Sequence, residues 1–323
     1  MTGRHTARWT DWSCSVRVTT VDARDLGVLE PLVRGLMGDV ERAVSRFRPD
    51  SDLSRVNAAA GHLVPVRPLT LDLVDVALAS ARHTHGAVDP LLAADLEALG
   101  YDADLAVVRR RVVPLHLGGG AREGREAGAW RRVRTDHRVG LVGVPSGHGL
   151  DLGATAKAWT VDEAVRRGAT QLRAPFLVSI GGDLAVHGAP DGGWQLSVEE
   201  VEGSGGSTVS LTSGGLATSS TTGRRWAGVH HLLDPRTGRS ASGRYRTASV
   251  WAPSCLTANT RSTWLLVDAD AATAAPGLPT RLVDSRGGVH VRDGWPEESP
   301  APTTHEARAQ QPRHEQQEAE VAS

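Results

Sequence analysis

Asp151 to Val165 reads DLGATAKAWTVDEAV. The sequence predicts the end of a strand, a tight turn, and then a helix that Gly168 can terminate. Gly153 and Ala154 let a ligand approach the backbone, the amides after them point outward at a helix start, and Lys157 sits one turn in. That arrangement suits an anion, phosphate above all. Lys157 carries extra weight because the chain holds 36 Lys and Arg residues and every other one is arginine. A lone lysine in such a chain marks a site that wants a compact ammonium rather than a planar fork. Two readings stay open on this stretch alone: an anion site, or a helix capped by Asp151 with Lys157 as solvated charge.

On the N-terminal side, Ser15 to Asp22 alternates like a half-buried strand. Leu29, Leu32, Val33, Leu36, Val40, Ala43 and Val44 recur at helical spacing and predict one amphipathic helix from about Arg24 to Ser45. The run SRFRPDSDLSRVN, Ser45 to Asn57, is a turn on Pro49 and Asp50, with Ser51 placed to cap a short helical turn. A further helix fits Thr70 to His83, and Gly86 and Pro90 bracket a bend before another short one. Leu117 to Ala129 turns to Gly, Arg and Glu and reads as a mobile excursion. WRRVRTD and HRVGLVGV then read as two strands.

On the C-terminal side, FLVSIGGDLAVHG is a buried strand running into a glycine turn at Gly181 and Gly182. WQLSVEE and STVSLTSG are strands separated by the loop Gly203 to Ser207. LATSSTTGRRW, VHHLLDPRTG and RTASVWAPS come next, then a helix from Thr257 to Val267. Strands and helices interleave without the regular period of a doubly wound sheet, so the fold class expected is mixed α+β.

With 323 residues, 40% of them hydrophobic, the chain can build a sizeable core. A net charge of -1 provides no field to hold a nucleic acid or an anionic membrane. Cys14 and Cys255 lie far apart, with no metal-ligand spacing and no disulfide framework, and are expected to be buried small apolar residues in a reducing compartment. No apolar run has the length of a signal-peptide core or a membrane span, so a cytoplasmic location is expected. Residues 1–14 are expected to be an extension and 15–296 one domain. Residues 297–323, rich in Pro, Gln, Glu, Ala and Thr, are expected to be a disordered tail.

Two constellations could carry chemistry. HHLLDPRTG, His230 to Gly238, places two imidazoles beside a carboxylate and an arginine, either as a general base with an anion clamp or as a hairpin with solvent-facing histidines. In TANTRSTWLL, Asn259 and Thr263 share a helix face and offer two oxygens suited to Mg²⁺, or else form an ordinary polar helix start.

The ordered series SRFRPDSDLSRVN, HGAVDPLLAADLEALGYD, DLGATAKAWTVDEA, LVSIGGDLAVHG, LATSSTTGRRW, HHLLDPRTG and ANTRSTWLLV resembles the motif series of the ApbE family, the FAD:protein FMN transferases. The resemblance implies a single α+β domain that binds FAD. With Mg²⁺ it would move FMN to a Thr or Ser hydroxyl of an acceptor flavoprotein and release AMP. Carried over by position, Phe47 replaces a tyrosine at the flavin, Ala87, Val88 and Asp89 match a segment at FAD, and Lys157 and Leu233 contact FAD. His231 would activate the acceptor hydroxyl. Ala154 would offer its carbonyl to the metal, and Asn259, Ser262 and Thr263 fall on the metal segment. The chain departs from the family pattern in three places: Asn259 stands where the best-known members carry Asp, Ser220 replaces a Gly, and Ala158 comes after Lys157 where Gly is common. It also has no lipoprotein signal.

Overall fold

The computed structural model describes residues 3–59, 61–111, 126–200 and 206–298. Its frame is one eight-stranded antiparallel sheet in which spatial order follows chain order. The strands are β1 (His5–Asp11), β2 (Cys14–Thr20), β3 (Phe176–Ile180), β4 (Asp183–His187), β5 (Gly215–Ser220), β6 (Tyr245–Ala252), β7 (Thr280–Asp284) and β8 (Val289–Arg292). What complicates this simple meander is the material inserted between strands. Among the described residues, six helices lie between β2 and β3: α1 (Ala23–Val44), α2 (Asp52–Ala58), α3 (Pro68–His83), α4 (Ala93–Ala98), α5 (Leu105–Arg110) and α6 (Ala156–Ala169). Two more, α7 (Cys255–Val267) and α8 (Ala269–Ala274), join β6 to β7. This is the α+β class expected from the sequence.

The helix boundaries have local causes. Asp22 accepts from Arg24 N at 2.9 Å to start α1, and Ser51 accepts from Ser54 N at 3.0 Å to start α2. Leu29, Val33, Leu36, Met37 and Val40 of α1 are buried at the predicted 3.6-residue period. They pack with α6 and with Val16, Val18, Val178 and Ile180 of the sheet. On α7 the start is held from outside as well, because Asp162 of α6 accepts from the amides of Cys255 and Leu256 at 2.8 Å each. A carboxylate at a helix N-terminus is typically worth roughly 0.3–1 kcal/mol, more when partly buried. Here it also locks α6 and α7 together beside the site. The opposite face of the sheet is covered near Leu177, Leu184 and Val186 by a hairpin of Trp194–Glu199 and Gly206–Leu211.

The structure departs from the sequence expectations in several places. Residues 1–14 are not a mere extension: His5–Asp11 pairs along its whole length with β2, from His5 opposite Thr20 to Asp11 opposite Cys14. The two-residue turn between them uses Trp12 and Ser13 at φ 48° and 56°, so neither the Gly nor the Asn that flags such hairpins is present. Ala129–Arg132 is a 3-10 turn rather than part of a strand, leaving only Arg134–Asp136 extended. Residues 144–155 form loop and turn, so no strand ends at Asp151. The expected loops at 117–125 and 203–205, and the tail beyond Glu298, lie outside the described residues. Glu298 itself is tied to the domain, accepting from Arg281 at 2.7 and 2.9 Å and from Ser207 at 2.6 Å. Among the described residues, no helix is long and apolar enough to cross a membrane.

Candidate active site

A cleft of about 690 Å³ opens where the N-terminal hairpin turn, the end of α1, the start of α6, the β3–β4 turn, the end of β5 and one face of α7 meet. That volume is within the range of pockets that hold organic cofactors. Phe47, Ala87, Val88, Asp89, Ala154, Lys157, His231, Leu233, Asn259 and Thr263 all line it. Ser262 does not. It is fully buried behind the wall, with its hydroxyl given to Asn259 O at 3.1 Å and paired with Ser219 Oγ at 2.8 Å.

Part of the cleft wall is aromatic. Phe47 meets Tyr101 edge-on at 5.5 Å, and Tyr101 stacks on Trp226 at 4.8 Å. Arg46 lies over both Phe47 and Tyr101, at 4.7 and 5.2 Å, and gives Nε to Asp151 at 2.8 Å. Asp151 thus does not cap α6 with its side chain. It accepts from Gly153 N at 2.8 Å, folding the turn that delivers Ala154 and Lys157.

Charge gathers on the cleft wall as well. Lys157 gives Nζ to Gly153 O at 3.2 Å. Its side chain is half-buried on the cleft wall. Burial first, and then the neighbouring Arg224, pull its pKa below the ordinary lysine value. Lys157 is therefore not a solvated surface charge. Arg224, on the same wall, carries no signal in the sequence, where arginine is everywhere. Asp183 reads there only as part of a plain glycine turn. It is 2% exposed, and burial raises its carboxyl pKa against the lowering pull of Lys157 and of a hydrogen bond from Asn259 Nδ2 at 2.9 Å.

The two histidines separate. His230 is buried, with Nε2 against Ala241 O at 3.0 Å and its amide given to Ser240 Oγ at 3.0 Å. It holds the ribbon around residues 229–241 together. His231 lines the cleft, and its Nδ1 is buried without a partner. Burial, then Arg224 and Lys157, lower its pKa to about 3. It is therefore a neutral imidazole at physiological pH, and a stronger base only once anionic phosphates offset the two cations beside it. Cys14, expected in the core, is instead half-buried on the cleft wall with Sγ toward Asp11 O at 3.2 Å, whereas Cys255 is fully buried.

Oxygen donors also converge. Asn259 Oδ1 is buried without a partner, Thr263 Oγ1 lies 3.0 Å from Ser219 Oγ, and both side chains share the α7 face that meets Asp183. An orphaned amide oxygen, a hydroxyl and a carboxylate form a hard donor set, which fits Mg²⁺. Among the described residues there is no cluster of three or more His, Cys, Asp or Glu side chains that could hold a metal. A cation here would rest on neutral oxygens, one carboxylate and the ligands its substrate brings.

Fold and site define a one-domain α+β protein with a cleft that brings together aromatic rings, cationic side chains and oxygen donors. The chain belongs to the ApbE family, whose sequence profile matches residues 10–275. An FAD:protein FMN transferase of Vibrio cholerae is 26% identical over 293 residues, covering 84% of this chain and 83% of that one. One of Klebsiella pneumoniae is 25% identical, covering 78% and 74%. Among solved structures, the ApbE protein of Thermotoga maritima superposes with a TM-score of 0.75 at 24% identity, covering 90% of this chain and 97% of that one. The Pseudomonas stutzeri flavinyl transferase ApbE gives 0.72 at 21% identity, covering 90% and 96%.

Proposed function

We propose that this protein is an FAD:protein FMN transferase that moves FMN from FAD to a Thr or Ser hydroxyl of an acceptor flavoprotein and releases AMP. The observation that carries the proposal is the juxtaposition, in one cleft, of a neutral cleft-facing imidazole at His231 with two cations, Lys157 and Arg224. The relatives named above support the same reading. In the reaction, the acceptor oxygen forms a bond to the flavin-side phosphorus while the bond from that phosphorus to the bridging oxygen breaks, and AMP leaves with the bridging oxygen. Lys157 and Arg224 offset the charge on the pyrophosphate, His231 takes the hydroxyl proton, and the cleft walls align donor and acceptor. Bound Mg²⁺, held by Asn259, Thr263 and the Ala154 carbonyl, would add charge neutralisation at the same phosphates. The unpaired cysteines, Cys14 and Cys255, support a cytoplasmic setting as part of this proposal.

The test is to incubate the protein with FAD, Mg²⁺ and candidate flavoproteins and weigh the acceptor by mass spectrometry. Covalent FMN on the acceptor supports the proposal. Free FMN and AMP in every mixture would make the protein an FAD hydrolase, and unchanged FAD would make it a passive flavin-binding protein. His231→Ala should lower transfer about a hundredfold or more, the usual range for losing a general base, with FAD affinity nearly intact. His230→Ala should instead lower the melting temperature while leaving a folded fraction that still transfers.

A further inference from the structure

We infer that Asp183, presented from the sheet, supplies the negative charge of the cation site in this chain. The inference rests on the proposed function and concerns how its metal is held. Asp183 is the first residue of β4, delivered into the cleft by the Gly181–Gly182 turn. Its backbone is fixed on both sides, opposite Ile180 in β3 and Ala217 in β5, so the carboxylate is presented from the interior of the sheet rather than from a loop. It is 2% exposed. A buried carboxylate is costly unless something compensates its charge. Lys157 and Arg224 offset part of that charge from a distance, while the hydrogen bond it accepts, from Asn259 Nδ2 at 2.9 Å, comes from a neutral amide.

That hydrogen bond also determines which way Asn259 faces. The amide turns its nitrogen to Asp183 Oδ1 and its oxygen away. Asn259 Oδ1 is then left buried with no partner, which native proteins rarely tolerate without a reason. An anionic oxygen donor and an unsatisfied neutral one, on side chains already in contact, are what a hard divalent cation takes up. With Asp at position 259, two carboxylates would face each other across the same contact. With Asn there, one charge and one hydrogen bond replace them. In this chain the site's negative charge therefore sits on β4.

The experiment is calorimetric titration of Mg²⁺ into wild type, Asp183→Asn, Asn259→Asp and the double variant, each with and without saturating FAD and each checked for a cooperative thermal transition. Asp183→Asn should weaken Mg²⁺ binding about tenfold or more, because affinity depends on ligand charge. The double variant, which returns the charge to α7, should recover most of that loss. A change of less than about twofold in Asp183→Asn, or a double variant as weak as Asp183→Asn, would overturn the inference, as would wild type that binds no Mg²⁺ in either condition. The transfer assay keeps the two proposals apart: flavinylation that persists with Asp183 indifferent to Mg²⁺ removes the inference and leaves the function standing.

Discussion

His231 draws its chemistry from where the fold places it rather than from its neighbours in the chain. An imidazole normally titrates near 6.5, but burial and the two cations beside it hold His231 at about 3. As pH falls through about 6.5 the unfolded chain takes up a proton at this residue and the folded chain does not, so the unfolded state is favoured progressively down to about 3. Stability should therefore decline on acidification across that window. The His231→Gln variant should lose less melting temperature between pH 7 and 4 than wild type does. Equal losses, measured in the absence of FAD, would show that the imidazole is solvated in both states. At this scale the sequence was partly legible. Lys157 announced itself as the lone lysine, and His231 stood out only once its motif was placed in a series. Arg224 and Asp183 had no such contrast: one is an arginine among many, and the other ends a glycine turn that has a sufficient structural explanation of its own.

Among the elements, the β3–β4 turn has the tightest tolerance near the cleft. Gly181 has φ +61°, and a Cβ on Gly182 would sit 2.7 Å from Thr218 O of β5, a backbone atom that cannot rotate away. Gly182→Ala must push β4 from β5 or tilt the turn, a strain of about 1–3 kcal/mol by the usual cost of overpacking. Because Asp183 comes directly after it, the same shift moves a cleft wall. The expected outcome is a lower denaturant midpoint together with weaker FAD binding, and a variant that keeps both would show that the turn has room to relax. Helices α1, α2 and α3 were legible because periodic apolar residues, with a capping Ser51 at α2, are local signals. The edge strand β1 was not, since its turn carries none of the residues that usually mark a hairpin and its pairing is decided by β2. The extended backbone expected before Asp151 was also missing, because Asp151 is engaged by Arg46, 105 positions away in sequence, rather than by a neighbouring strand.

For the molecule as a whole, the sheet runs in chain order, yet the cleft is assembled from segments as distant as the N-terminal hairpin turn and α7. No sequence period encodes that assembly. It results from where the six inserted helices close back on the sheet, which is why the mixed α+β class could be read from the sequence but the meeting of these walls could not. A ligand that spans the cleft adds contacts between parts of the fold that are far apart in the chain, so its binding should register as global stability. At a concentration a hundredfold above its dissociation constant, a ligand specific to the folded state adds about 2.7 kcal/mol. FAD and FMN offer the same flavin and its phosphate, and differ in the adenylate half that the segment from Ala87 to Asp89 would meet. At equal concentrations FAD should therefore raise the melting temperature clearly more than FMN, and adding Mg²⁺ should widen the gap, because only the pyrophosphate brings two phosphates to the oxygen donors on α7. Equal shifts with FAD and FMN, with and without Mg²⁺, would show that the adenylate half makes no differential contact and would remove Ala87 to Asp89 from the binding site.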